Sequence, residues 1–246
     1  MNRRTWRWVG AAVLLCFCPI SGTASGQTTL EFSVDPAFAI PTGAFRENVP
    51  ENGIGATVSL ATWIRDLPVM VGGELGFLVY GYESRQEPYN TATPDFTVRH
   101  TIWNNIMQAH LFVRWLTAGD DLRFFVEGLV GFKYFYTDSH FVNVGIAEGY
   151  PTAKSTNLSD HAFSYGLGAG LSFRIRKHRE KSDEGGEHRP ERSGLILECG
   201  TRFLAGSRAD YLREGSVQRV DGDVTYDMYS SRTSVVIPFI GIRWEF

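Results

Sequence analysis

Glu31, Asp35, Arg65, Glu74, Arg114, Arg123, Glu127, Lys133, Arg174, Glu198, Arg202 and Arg243 are the residues of this chain best placed to do chemistry together. Each lies on the polar parity of a segment whose opposite parity is apolar. A strand alternates its side chains, so strands here would gather the charges on one face. Facing acids and bases could carry protons or ions. They could equally neutralise one another, because an unpaired buried charge is costly and a paired, hydrogen-bonded one is tolerable. Mixed signs on neighbouring segments favour a self-neutralising plug, a structural role.

Other chemistry is thinly represented. Ser159 and His161 share the apolar parity side by side, and an imidazole there could activate a hydroxyl, but sequence assigns no orienting carboxylate. His100, His110, His140, His161, His178 and His188 show no metal spacing. Gly166-Leu167-Gly168-Ala169-Gly170 sits inside an alternating segment with no helix to follow, which argues against a nucleotide loop. Asp221-Gly222-Asp223 reads as a turn rather than a calcium loop. No catalytic residue, metal site or cofactor is expected.

The positioning elements are alternating runs. Their apolar parities are Leu30 to Ile40, Ile54 to Ile64, Val71 to Val79, Met107 to Trp115, Phe124 to Tyr134, Phe163 to Ile175, Leu195 to Phe203 and Val236 to Phe246. That predicts eight strands, an even number suited to a closed antiparallel barrel. Arg65–Pro68 and Thr117–Asp121 read as tight turns. Stretches 41–52, 83–98, 138–158 and 206–231 read as long polar loops. The segment 177–192, dense in both charge signs, reads as a solvated excursion on the short-turn side.

MNRRTWRW, an apolar core from Val9 to Ile20, and small residues up to Gly26 form a secretory signal, so the expected domains are 1–26 signal peptide and 27–246 barrel. Leu14 and Leu15 before Cys16 argue against lipidation. Cys16 and Cys18 leave with the signal, and Cys199 remains as a small apolar filler. With Arg3, Arg4 and Arg7 removed, 21 Lys+Arg face 27 Asp+Glu, a net charge of −6 that offers nucleic acid no footprint.

The polar face should point inward. Its glycines leave room for long charged side chains, and the apolar face runs for about the 9–11 residues that a tilted strand needs to cross hydrocarbon. That face also ends in aromatics at both rims. These features, with the closing G-I-R-W-E-F, make the chain resemble the small eight-stranded outer-membrane barrels, the family of the outer-membrane protein A transmembrane domain. The resemblance implies an all-β, eight-stranded antiparallel up-and-down transmembrane barrel with a polar, plugged lumen. It further implies a bacterial outer-membrane location, contact with membrane lipid and lipopolysaccharide, and Trp244 and Phe246 as the signal read by the barrel-assembly machinery. Pro36 and Pro238 should bring bulges where the first and last strands meet. No peptidoglycan-binding domain is expected. The function expected is a non-enzymatic envelope or surface-interaction role through the long loops, with an unidentified loop partner. The alternatives are a lipid A deacylase-like hydrolase and a narrow pore.

Overall fold

A computed structural model describes residues 29–88, 97–119, 121–143, 151–177, 194–220 and 223–246. The segment 1–26 and the charged excursion beyond 177 lie outside these residues. The wall is built from β1 (Leu30–Pro41), β2 (Gly53–Trp63), β3 (Val69–Pro88), β4 (Thr97–Leu116), β5 (Leu122–Asn143), β6 (Pro151–Lys177), β7 (Gly194–Gly206) and β12 (Val235–Glu245). They close in the order β1-β12-β7-β6-β5-β4-β3-β2, every neighbour antiparallel. Closure pairs β1 with β12, so the wall has no open edge through the barrel zone.

Burial inverts the pattern of a water-soluble barrel. Leu111 and Leu167 are 69% and 72% exposed on the outer face, whereas Arg114 and Arg202, pointing inward, are each 1% exposed. From Val236 to Phe246 the outer side of β12 is apolar, a band about 25 Å tall at ordinary barrel tilt.

The strands extend beyond the runs expected from alternation. β3 and β4 pair up to Pro88↔Thr97, and β5 and β6 up to Val142↔Pro151, so much of the expected loops 83–98 and 138–158 is strand. Alternation fades there because these strand ends rise above the apolar band, and an outer side in contact with water tolerates polar residues on both parities. Register shifts at Val79/Gly81 and Thr137/Asp138 mark this region.

The stretches expected as loops at 41–52 and 206–231 are also structured. Gly43, at φ 57°, opens the short helix α1 (Ala44–Asn48). After β7 the chain forms β8 (Arg208–Tyr211), β9 (Val217–Val220), β10 (Asp223–Tyr226) and β11 (Tyr229–Arg232), paired as β8 with β11 and β9 with β10.

The bulges expected at Pro36 and Pro238 do not occur. The register between β1 and β12 is unshifted from Glu31↔Glu245 to Pro41↔Val235, and the pairs missing from this ladder cluster around the two prolines. Both prolines lie on the outer parity, so each removes a donor without forcing an extra residue into the strand.

Candidate functional site

The interior is two layers. Toward the short turns lies a chain of alternating charge. Arg202 Nη1 stands 3.1 Å from Glu74 Oε2 and donates through Nε to Glu127 Oε1 at 2.7 Å. Arg114 donates through Nε to Glu127 Oε2 at 2.8 Å and through Nη1 to Glu198 Oε2 at 2.9 Å. Arg243 donates to Glu198 through Nη2 and to Glu31 through Nη1, and Trp63 Nε1 donates to the other Glu31 oxygen at 2.6 Å. Ser172 on β6 donates to Glu198. The network therefore takes a side chain from each of the eight wall strands.

Small residues in the same cross-strand rows make these reaches possible. Arg114, Glu127, Gly168 and Arg202 face one another in sequence across β4, β5, β6 and β7. A Cβ on Gly168 would stand 2.8 Å from Glu127 Oε1, in the space the carboxylate takes to meet Arg202. The guanidinium planes also lie over rings, Arg114 above Phe125 at 4.2 Å and Arg202 above Phe239 at 4.3 Å.

His110 joins this layer through Nδ1, 3.1 Å from Glu74 Oε1, and Nε2, 3.0 Å from Ser164 Oγ. An acid, an imidazole and a hydroxyl in this order have the connectivity of a hydrolytic relay. All three residues are buried, which denies the hydroxyl a substrate; the arrangement satisfies polar groups instead. Parity alone turns His110 inward, but its reach to Ser164 across Gly131 depends on register.

Toward the long connections the interior centres on aromatic side chains, with buried polar groups such as Thr137 and Asn104 hydrogen-bonded to one another on the strands around them. Phe45 from α1, 0% exposed, meets Tyr80, Phe135 and Tyr211 at ring-centroid distances of 5.9, 5.9 and 5.0 Å. Tyr80 donates to the Leu212 carbonyl, and Asn48 to Tyr211. The stretch after β7 thus closes over α1. Sequence reasoning missed this upper plug, because a buried aromatic inside a polar loop has no periodic signature.

Of the charges singled out by sequence, Glu31, Asp35, Glu74, Arg114, Glu127, Lys133, Glu198, Arg202 and Arg243 are buried inside. Asp35 accepts from Ser33 and lies over Gly241. Lys133 donates to the carbonyls of Leu204 and Thr233, clasping the ends of β7 and β12. Arg174 is half-buried at the rim, paired with Glu245 at 3.0 Å. Arg123 is also at the rim, donating to the Gly119 carbonyl. Arg65 departs from expectation: it sits in the exposed turn beside Asp66, because β2 ends at Trp63 and alternation no longer directs it inward. Trp244 is half-buried and stacked near Phe32, and Phe246 is exposed at the lower rim. Cys199 is exposed on the outer face.

Ser159 and His161 both lie on the outer side of β6, and Asp160 Oδ1 is 3.7 Å from His161 Nδ1. Among the described residues no hydrogen bond joins Ser159 to His161. Below the charge layer a cleft of about 10 Å³, lined by Glu31, Trp63, Arg123, Ser172, Arg174 and Arg243, has room for roughly one water.

The fold and its interior define a closed eight-stranded antiparallel barrel, apolar outside and charged within. No family model and no curated protein matches the chain. Among solved structures it is similar to Neisserial surface protein A, at 10% identity over 89% of this chain and 97% of that one, with a TM-score of 0.38. It is also similar to Ail, the attachment invasion locus protein of Yersinia pestis, at 11% identity over 89% and 97%, with a TM-score of 0.37. A major outer membrane protein from Thermus thermophilus matches at 12% identity over 88% and 99%, with a TM-score of 0.42.

Proposed function

We propose that this chain is an integral protein of the bacterial outer membrane, exported with loss of residues 1–26, with a non-enzymatic envelope or surface-interaction role. The observation that carries the reading is the inverted burial: Leu111 and Leu167 face out while Arg114, Glu127 and Lys133 are enclosed. In water that outer face would be a large exposed apolar surface, and in lipid it is the solvated one. Trp244 and Phe246 would present the assembly signal, and membrane lipid and lipopolysaccharide would surround the belt. A role at the surface fits the tall wall of β3 to β6, which rises well above the apolar band.

The charge layer acts as a structural plug, and the aromatic layer above it closes the other end. Both stand against a pore. A lipid-modifying hydrolase draws on the Asp160–His161 approach and lacks the bond from His161 to Ser159. Cell fractionation with refolding into lipid vesicles tests the leading reading. The folded chain should partition with outer membranes and resist protease across its belt; recovery in the soluble fraction would overturn it. Lipid A mass spectrometry with and without the gene should show the same acyl pattern, and a changed pattern would favour the hydrolase.

A further inference from the structure

Arg208 and Arg232 stand directly opposite one another on the antiparallel pair β8 and β11. Both are exposed. Like charges at facing positions repel, so an unmet pair of this kind lowers the stability of its own ladder. Among the described residues neither guanidinium group has a hydrogen bond, an ion pair or a ring contact. Asp210, two residues further along the same face of β8, forms an ion pair with neither. The pair leaves two positive charges side by side and open to a partner from outside the chain.

Their position says what that partner is. Ala209, Tyr211 and Ser231 point inward, with the Tyr211 and Ser231 hydroxyls 2.6 Å apart, so Arg208 and Arg232 point outward. β8 and β11 continue the wall above β7 and β12. Ser207, the residue before Arg208, exchanges hydrogen bonds with Phe163 of the outer aromatic rim through its backbone N–H and its hydroxyl. Val236, the uppermost apolar residue on the outer side of β12, lies four residues beyond Arg232. The two guanidinium groups therefore crown the apolar band, and His161, also exposed and outward, lies two residues above Phe163 on β6.

We infer that Arg208 and Arg232 form a clamp for the phosphate of a lipid headgroup, the acyl chains of that lipid lying on the apolar wall below. Guanidinium groups bind phosphate through paired, charge-assisted hydrogen bonds, and two of them bracket one phosphate better than either alone. The apolar wall beneath favours a lipid over a free anion. This rests on the outer-membrane reading above.

The test uses the full chain in vesicles of phosphatidylcholine containing lipid A, or the same lipid A with its phosphates removed, with retained lipid counted by native mass spectrometry. Phosphorylated lipid A should be retained. Removing its phosphates, or introducing Arg208→Gln with Arg232→Gln, should cut retention about tenfold or more. Arg99→Gln, which removes an exposed arginine higher on β4, should leave retention unchanged. If the glutamine pair fails to fold, Arg208→Lys with Arg232→Lys keeps the charge and should retain lipid at an intermediate level. Equal retention by the folded glutamine pair, an equal loss in Arg99→Gln, or complete displacement by inorganic phosphate would each overturn the clamp. Insertion without headgroup dependence sinks this inference alone, whereas failure to insert sinks the membrane reading and the clamp with it.

Discussion

Gly168 faces Glu127 across β5 and β6, and the Glu127 carboxylate fills the space that a Gly168 side chain would need. Arg202 reaches that carboxylate from the far side of the same glycine. The absent side chain is thus part of the charge network.

Gly168→Val should destabilise the barrel by about 1–3 kcal/mol, because the added carbons displace a buried, paired carboxylate. Gly128→Val is the matched control, since a Cβ there meets nothing within 4 Å on the outer face. Urea midpoints in detergent would measure both, and equal midpoints would contradict the account.

Arg114→Met leaves Glu127 and Glu198 short of a shared partner, and should cost about 3–5 kcal/mol. Adding Glu127→Gln should recover part of that loss, since it removes one of the stranded charges. The same unfolding series reads the coupling; strict additivity would mean that the two side chains act independently.

Phe45→Ala empties the centre of the aromatic layer, with an expected cost of about 3–5 kcal/mol. Neither the parent chain nor this variant should conduct in planar bilayers, because the charge layer closes the barrel separately. Steady current steps from this variant would show that the aromatic layer alone blocks the passage.

Leu111→Arg places a charge near the middle of the outer band. In vesicles this should cost about 2–4 kcal/mol, while an exposed substitution such as Arg65→Gln in the turn should cost little. Equal refolding yields of Leu111→Arg and the parent chain in lipid would argue that this face never meets hydrocarbon.

Strand number, closure and the direction of each face were legible because one physical demand repeats along the chain. Every wall strand shows apolar side chains on its outer side and polar ones within, and period two writes that division into the order of residues such as Phe163 to Ile175. The same parity by itself gathers Glu74, Arg114, Glu127, Glu198, Arg202 and Arg243 on the inner face. It failed at Arg65, where the strand stops, and above the apolar band, where no such demand acts.

Partnership was decided only by the tertiary structure. Parity says that Glu127 points inward, but register determines that it lies between Arg114 and Arg202 with a glycine in the gap. The burial of Phe45 depends on how α1 tucks into the barrel end, and the meeting of Arg208 with Arg232 on the pairing of β8 with β11. Those contacts join residues far apart in sequence and leave no local periodicity, so only the closed fold could bring them together.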